Sequence, residues 1–155
     1  MAKEQSIYVS YSQVAIFRAD LENPFNDWST NHVLQGFAWR PESVSFGTLE
    51  QDGDLRIALR VMDHFDKIKD NTVRAIRVPF SVRNGLIEVA SISDGFKAQI
   101  PSGDYSLYFE TGKDEKGMWC VFTFVEMYDP QPEILICDHD LQPGKSLIMK
   151  TDPAA

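Results

Sequence analysis

Two short stretches place histidine among carboxylates, Asp63-His64-Phe65-Asp66 and Asp138-His139-Asp140, and oxygen plus imidazole donors on two loops are a set that can hold a divalent ion. A metal-dependent hydrolase would start from such a site. Adjacent residues on an extended chain point in opposite directions, however, so few of these side chains can converge on one ion, and solvated loops account for both clusters. Other chemistries find less. The chain has no Gly-x-Ser-x-Gly elbow and no Gly-x-x-x-x-Gly-Lys phosphate loop. Cys120 and Cys137 lie in apolar runs, where nothing drives a thiol toward thiolate. Three histidines leave few general bases, and among 23 acidic residues no carboxylate pair stands out as glycosidase-like. The chain reads as a binding protein, with no catalytic residue, no cofactor and no metal expected.

The residues from Asp27 to Gly47 suit recognition instead. Asp27-Trp28-Ser29, followed by Gly36-Phe37-Ala38-Trp39-Arg40-Pro41-Glu42-Ser43-Val44-Ser45-Phe46-Gly47, brings two of three tryptophans beside phenylalanines and an arginine. Aromatics and arginine carry much of the anchoring energy at interfaces. Trp28, Trp39, Phe37 and Arg40 are the candidate centre of a partner-binding surface, and Asp20, Glu22, Asp27, Glu42, Glu50, Asp52 and Asp54 its candidate negative rim. Each has a plainer alternative. Large aromatics such as Trp39 and Trp119 fill the space between sheets, Arg40 can belong to an internal ion pair, and acidic runs such as 20–27 and 49–54 are what solvated faces look like.

Twenty-three acidic against 15 basic residues give a formal charge of −8. That field repels nucleic acid phosphates and anionic lipid, so neither is an expected direct partner, while it accelerates encounter with a basic protein. Solubility alone also favours such a charge. The segment Met1-Ala2-Lys3-Glu4-Gln5-Ser6 lacks a secretory apolar run and no window approaches a membrane span. The expected location is the cytoplasm, where a disulfide between Cys120 and Cys137 is not expected.

The segment from Asp27 to Gly47 resembles the tryptophan and aromatic-serine-phenylalanine portion of the competence protein J family. The likeness continues through Val78-Pro79-Phe80, through Asn84-Gly85 with Glu88 to Ser91, and through Pro101-Ser102-Gly103-Asp104-Tyr105-Ser106-Leu107, so that it runs from Ile7 to Ile136. The tail beyond His139 has no counterpart. The resemblance implies a β-sandwich and an inhibitor of a DNA-degrading nuclease; taken with the acid excess and the missing catalytic motifs, it leads to an immunity-type protein whose acidic surface occludes the enzyme's basic substrate groove. It maps no inhibitory surface onto individual residues. The residues by themselves leave open a small-ligand or carbohydrate-binding sandwich that presents Trp28 or Trp39.

These side chains need a scaffold. At 155 residues, 43% of them hydrophobic and with ten phenylalanines, the chain suffices for a single domain, 1–155, around one core. Apolar and polar residues alternate between turn signals, which predicts an all-β, antiparallel β-sandwich of about eight or nine strands with one short helix, a closed barrel being the runner-up. Ile7 to Phe17 reads as one strand or a bent pair. Ser29 or Thr30 caps a helix that Gly36 ends. Leu55, Ile57, Leu59 and Val61 form one face of the clearest strand, and 63–71 is a polar loop. Asn84-Gly85 between apolar runs is a strong hairpin signal, and 112–117 is the tip of another. Residues 141–155, with Pro143, Gly144 and Pro153, are expected to form a flexible tail.

Overall fold

A computed structural model of the chain describes residues 2–154. In chain order it contains β1 (Ala2–Val9), β2 (Gln13–Arg18), α1 (Thr30–Gln35), β3 (Phe37–Arg40), β4 (Ser43–Gly47), β5 (Gly53–Met62), β6 (Arg74–Val82), β7 (Leu86–Ala90), β8 (Gly95–Gln99), β9 (Gly103–Asp114), β10 (Gly117–Glu126) and β11 (Glu133–Ile136). Burial alternates along β5, β6 and β8, whereas β2, β4, β9 and β10 are buried along nearly their whole length, and the inner apolar faces meet between two sheets. One sheet has the order β1-β5-β10-β9-β6-β11, the other β3-β4-β2-β7-β8. The fold is all-β with one short helix, as the alternation predicts. Among the described residues there are eleven strands rather than about eight or nine, because short strands such as β3 and β8, of four and five residues, show too little alternation to be read alone. The ladders are antiparallel except β5 with β10, which run parallel from Leu55 opposite Met118 to Met62 opposite Val125.

Aromatic rings fill the space between the sheets. Phe46 of β4 stacks on Phe109 of β9 at 4.4 Å and 16°, and its centroid lies 5.8 Å from that of Phe122 on β10. All three are buried, and each such ring contributes about 1.5–3 kcal/mol by leaving water.

The chain crosses between sheets where local turn chemistry alone suggests otherwise. Asn84-Gly85, with Gly85 at φ +76, connects β6 of the first sheet to β7 of the second, so it is a corner and not a hairpin. Both neighbours of β6 are already taken, by β9 and β11, and β7 pairs with β2 and β8. The stretch from Ile7 to Phe17 is likewise split between the sheets, by a turn in which Tyr11 and Ser12 both adopt φ +57.

Both outer faces carry covering segments. Residues 63–72 run over the first sheet: Phe65 stacks on Tyr108 at 3.9 Å, and the Lys69 N–H donates to Glu110 Oε2 at 2.6 Å. Trp119 is buried, but not between the sheets, because its alternate neighbours Cys120 and Met118 take the inner face; it lies under this strap, with Lys69 Nζ 5.1 Å from its ring centroid. Gly112 is required there, since a Cβ would fall 2.6 Å from Trp119 Cζ2 and 2.7 Å from the Asn71 carbonyl oxygen. On the other sheet, Leu21 and Phe25 of the segment after β2 pack on Ala15, Phe17 and Ala90.

The expectation of a frayed tail is corrected. Leu141 and Thr151 are buried. Gln35 holds Ile148 by side-chain bonds to both its N–H and its C=O, at 2.9 and 2.8 Å. The Thr151 N–H donates to the Trp39 carbonyl, Asp27 N–H to the Asp152 carbonyl, and Ala154 N–H to the Phe25 carbonyl. The segment closes the open edge of β3, whose backbone groups would otherwise be unpaired.

Candidate protein-binding surface

Helix α1 is short, so its ends decide whether it forms. Ser29 supplies the N-cap: its Oγ accepts from the His32 N–H at 3.3 Å, and its own N–H donates to His32 Nδ1 at 3.0 Å. Gly36, at φ +88, ends the helix with its N–H on the carbonyls of His32 and Val33. This fixes Trp28 just before the helix and sets Val33 outward, 58% exposed.

Three other connections meet α1 at the same end of the sandwich. In the turn between β1 and β2, the Ser12 N–H donates to the Gln51 carbonyl, and the Ser12 carbonyl accepts from the Thr48 N–H, which ties that turn to the loop between β4 and β5. From the segment after β11, the Gln142 N–H donates to the Leu34 carbonyl. Beneath them Arg74 and Asp138 form a bidentate ion pair at 2.7 and 2.9 Å, with Arg74 Nη1 also on the Gly47 carbonyl. The guanidinium holds the Asp138 carboxyl below its usual range.

Between these connections lies a cavity of about 410 Å³, lined by residues that include Tyr11, Gln13, Trp28, Val33, Arg74 and Leu141. Tyr11 is 71% exposed at its mouth. Trp28 and Gln13 both line it, while Trp28 Nε1 and Gln13 Oε1 are themselves shut off from solvent and have no hydrogen-bond partner among the described residues; an unmade bond of this kind costs about 1–3 kcal/mol. Around the mouth stand exposed carboxylates: Asp27 next to Trp28, Glu50 and Asp52 on the loop bonded to Ser12 and Thr48, and Asp140 in the lining itself. Glu50 pairs with Lys113 at 3.1 Å. Burial pushes the pKa of His32 down, opposed by the charge of Asp27.

Of the residues singled out in the sequence, the fold thus gathers Asp27, Trp28, Glu50 and Asp52. Asp54 is close by, exposed at the start of β5 opposite Tyr8. The others are elsewhere. Asp20 pairs with Arg18 at the far end of β2, where Arg18 also holds Glu42. Glu22 is exposed on the outer side of the second sheet, in a groove it shares with Glu88. Trp39 is half-buried against the core, with Nε1 donating to the Pro79 carbonyl at 2.6 Å. Arg40 has no carboxylate partner among the described residues; Nε donates to Asn26 Oδ1 at 2.6 Å and Nη2 to the Asn23 carbonyl at 2.5 Å, so it fastens the loop before Trp28. Tyr11, Val33 and Leu141 were not legible as residues around one cavity: Tyr11 reads as a strand position, a six-residue helix has no clear face, and Leu141 falls in the segment read as a tail.

The two histidine clusters do not merge. His64 contacts Asp66 at 2.8 Å, His139 contacts Asp140 at 3.5 Å, and Asp138 is taken by Arg74. Among the described residues no three of His, Cys, Asp and Glu are arranged to hold a metal, and no helix is long and apolar enough to cross a membrane. Cys120 and Cys137 are free thiols, the first buried and the second exposed.

The profile of competence protein J (ComJ) matches residues 6–125. No curated protein matches. Among solved structures, the fold is similar to that of ComJ from Bacillus subtilis, an inhibitor of the DNA-degrading activity of NucA, with TM-score 0.69, 23% identity, and coverage of 81% of this chain and 96% of that one. It is also similar to the product of crocagin biosynthetic gene J, with TM-score 0.55, 15% identity, and coverage of 83% and 98%.

Proposed function

Because the chain belongs to the competence protein J family, we propose that it inhibits a DNA-degrading nuclease and does so by binding, not by catalysis. The family match carries this reading, supported by the likeness to a structure whose protein inhibits NucA. The acidic, aromatic end of the sandwich supplies a physical means. Asp27, Glu50, Asp52 and Asp140 present negative charge that a groove built for DNA phosphates would attract, and Tyr11, Trp28 and Val33 supply apolar area that holds the complex once charge has steered it. The reading requires no cofactor and places the protein in the cytoplasm, where two free thiols persist. The test is DNA degradation by the NucA-type nuclease of the same organism, assayed with and without the purified protein. Stoichiometric loss of cleavage, relieved by rising salt, is the expected result; undiminished cleavage at all ratios would refute it.

A further inference from the structure

We infer that the cavity of about 410 Å³ between Tyr11, Trp28, Val33 and Leu141 is the anchor pocket of this protein, taking one apolar side chain from a lysine- or arginine-flanked loop of the nuclease. This inference rests on the inhibitor reading and goes beyond it by naming the contact and the partner's chemistry.

Two observations carry it. Tyr11 and Val33 expose apolar surface at the mouth, 71% and 58%, and the wall between them is Trp28 and Leu141. An apolar recess with large side chains around it is where anchor residues of interfaces seat. The mouth is acidic on several sides, through Asp27, Glu50, Asp52 and Asp140, with Lys113 beside Glu50 and His139 beside Asp140, so the complementary loop is cationic beside its anchor.

The rim residues allow a test that spares the core. Val33→Lys puts a cation at the mouth on an exposed helix position. Tyr11→Asn removes the ring and suits the positive φ there, which asparagine tolerates better than most residues. Each is compared with Tyr128→Ala, a 98% exposed aromatic away from the pocket. Thermal melts establish that each variant is folded, and the NucA-type nuclease of the same organism is the probe. Both pocket variants weaken inhibition about 30-fold, the scale of a lost anchor, while Tyr128→Ala stays within about twofold. If the wild-type protein inhibits and the pocket variants inhibit equally well, the pocket is not the anchor although the inhibitor reading stands. If the wild type inhibits nothing, the inhibitor reading itself fails. Gel filtration covers the remaining occupant: a wild-type dimer that Val33→Lys converts to monomer, with inhibition unchanged, makes the cavity a self-interface and overturns the proposal.

Discussion

Arg74 and Asp138 meet in two parallel bonds, Nε to Oδ1 at 2.7 Å and Nη2 to Oδ2 at 2.9 Å, with 5% of each side chain exposed. The pair joins the start of β6 to the segment after β11 and forms part of the cavity's support. Removing one member leaves a buried, uncompensated charge, so Asp138→Asn is expected to cost about 3–5 kcal/mol. Because Arg74 lowers the Asp138 pKa, the pair's contribution is complete above the unfolded carboxyl value of about 4 and is lost as pH falls through the folded one. Urea denaturation from neutral to acid pH measures both; a loss under about 1 kcal/mol would show that the pair is not what secures this end.

His32 ties pH to the same end. Its Nδ1 accepts the Ser29 N–H, so Nε2 carries the proton of the neutral ring and is buried without a partner. Protonating Nδ1 would set two donors against each other, and burial already holds the pKa down against the pull of Asp27. The unfolded chain then binds a proton more readily than the folded one, and stability falls as pH drops below about 6.5. His32→Gln keeps an acceptor for the Ser29 N–H, as capping-box glutamine does, and removes the titration. Its melting temperature is expected to vary less between pH 7.5 and 5.5 than that of the wild type; parallel curves would show that His32 does not titrate in this range.

The strap over the first sheet is held by the Phe65–Tyr108 stack and by Lys69, through its N–H on Glu110 and its ammonium over Trp119. Glu110 is buried beneath it, and burial raises its pKa despite the Lys69 N–H and the nearby Arg60. A carboxyl that holds its proton better folded than unfolded costs stability as pH rises above about 4.3. Glu110→Gln retains an acceptor for the Lys69 N–H and is expected to raise the melting temperature at pH 7.5. Gly112→Ala should have the opposite effect, by about 1–3 kcal/mol, because the added methyl meets Trp119 and the Asn71 carbonyl. A tryptophan emission spectrum unchanged in Gly112→Ala would contradict the close approach.

Charge reversal separates steering from anchoring. Glu50→Lys combined with Asp52→Lys, both on the exposed loop beside the cavity, is expected to slow association with the nuclease about tenfold and to flatten its salt dependence, with dissociation little changed. Asp20→Lys, on the far end of β2 and already paired with Arg18, is expected to leave association within about twofold. Stopped-flow mixing at low and high salt reads both rates. Equal effects from the two sites would mean that net charge, not its placement, governs encounter.

Period-two alternation, the Ser29 cap and Gly36 stop, and the 23-to-15 acid excess are local or additive properties, so the sequence determined an all-β, acidic scaffold with one short helix by itself. It also carried the family likeness from the 27–47 segment, because those residues keep their order whatever they touch. Partners distant along the chain were not legible. Asn84-Gly85 makes a corner and not a hairpin, since pairing depends on which strands already flank β6 and β7. The tail is docked because Gln35, Trp39 and Asp27 offer backbone and side-chain bonds that lie more than a hundred residues away in sequence. The same holds for the surface: charge composition gave its sign, whereas only the closure of the sandwich placed Tyr11, Trp28, Val33 and Leu141 around one cavity and left Trp39 and Arg40 holding the structure together. A binding site is a matter of convergence in three dimensions, and convergence is set by sheet order and register, which no single segment encodes.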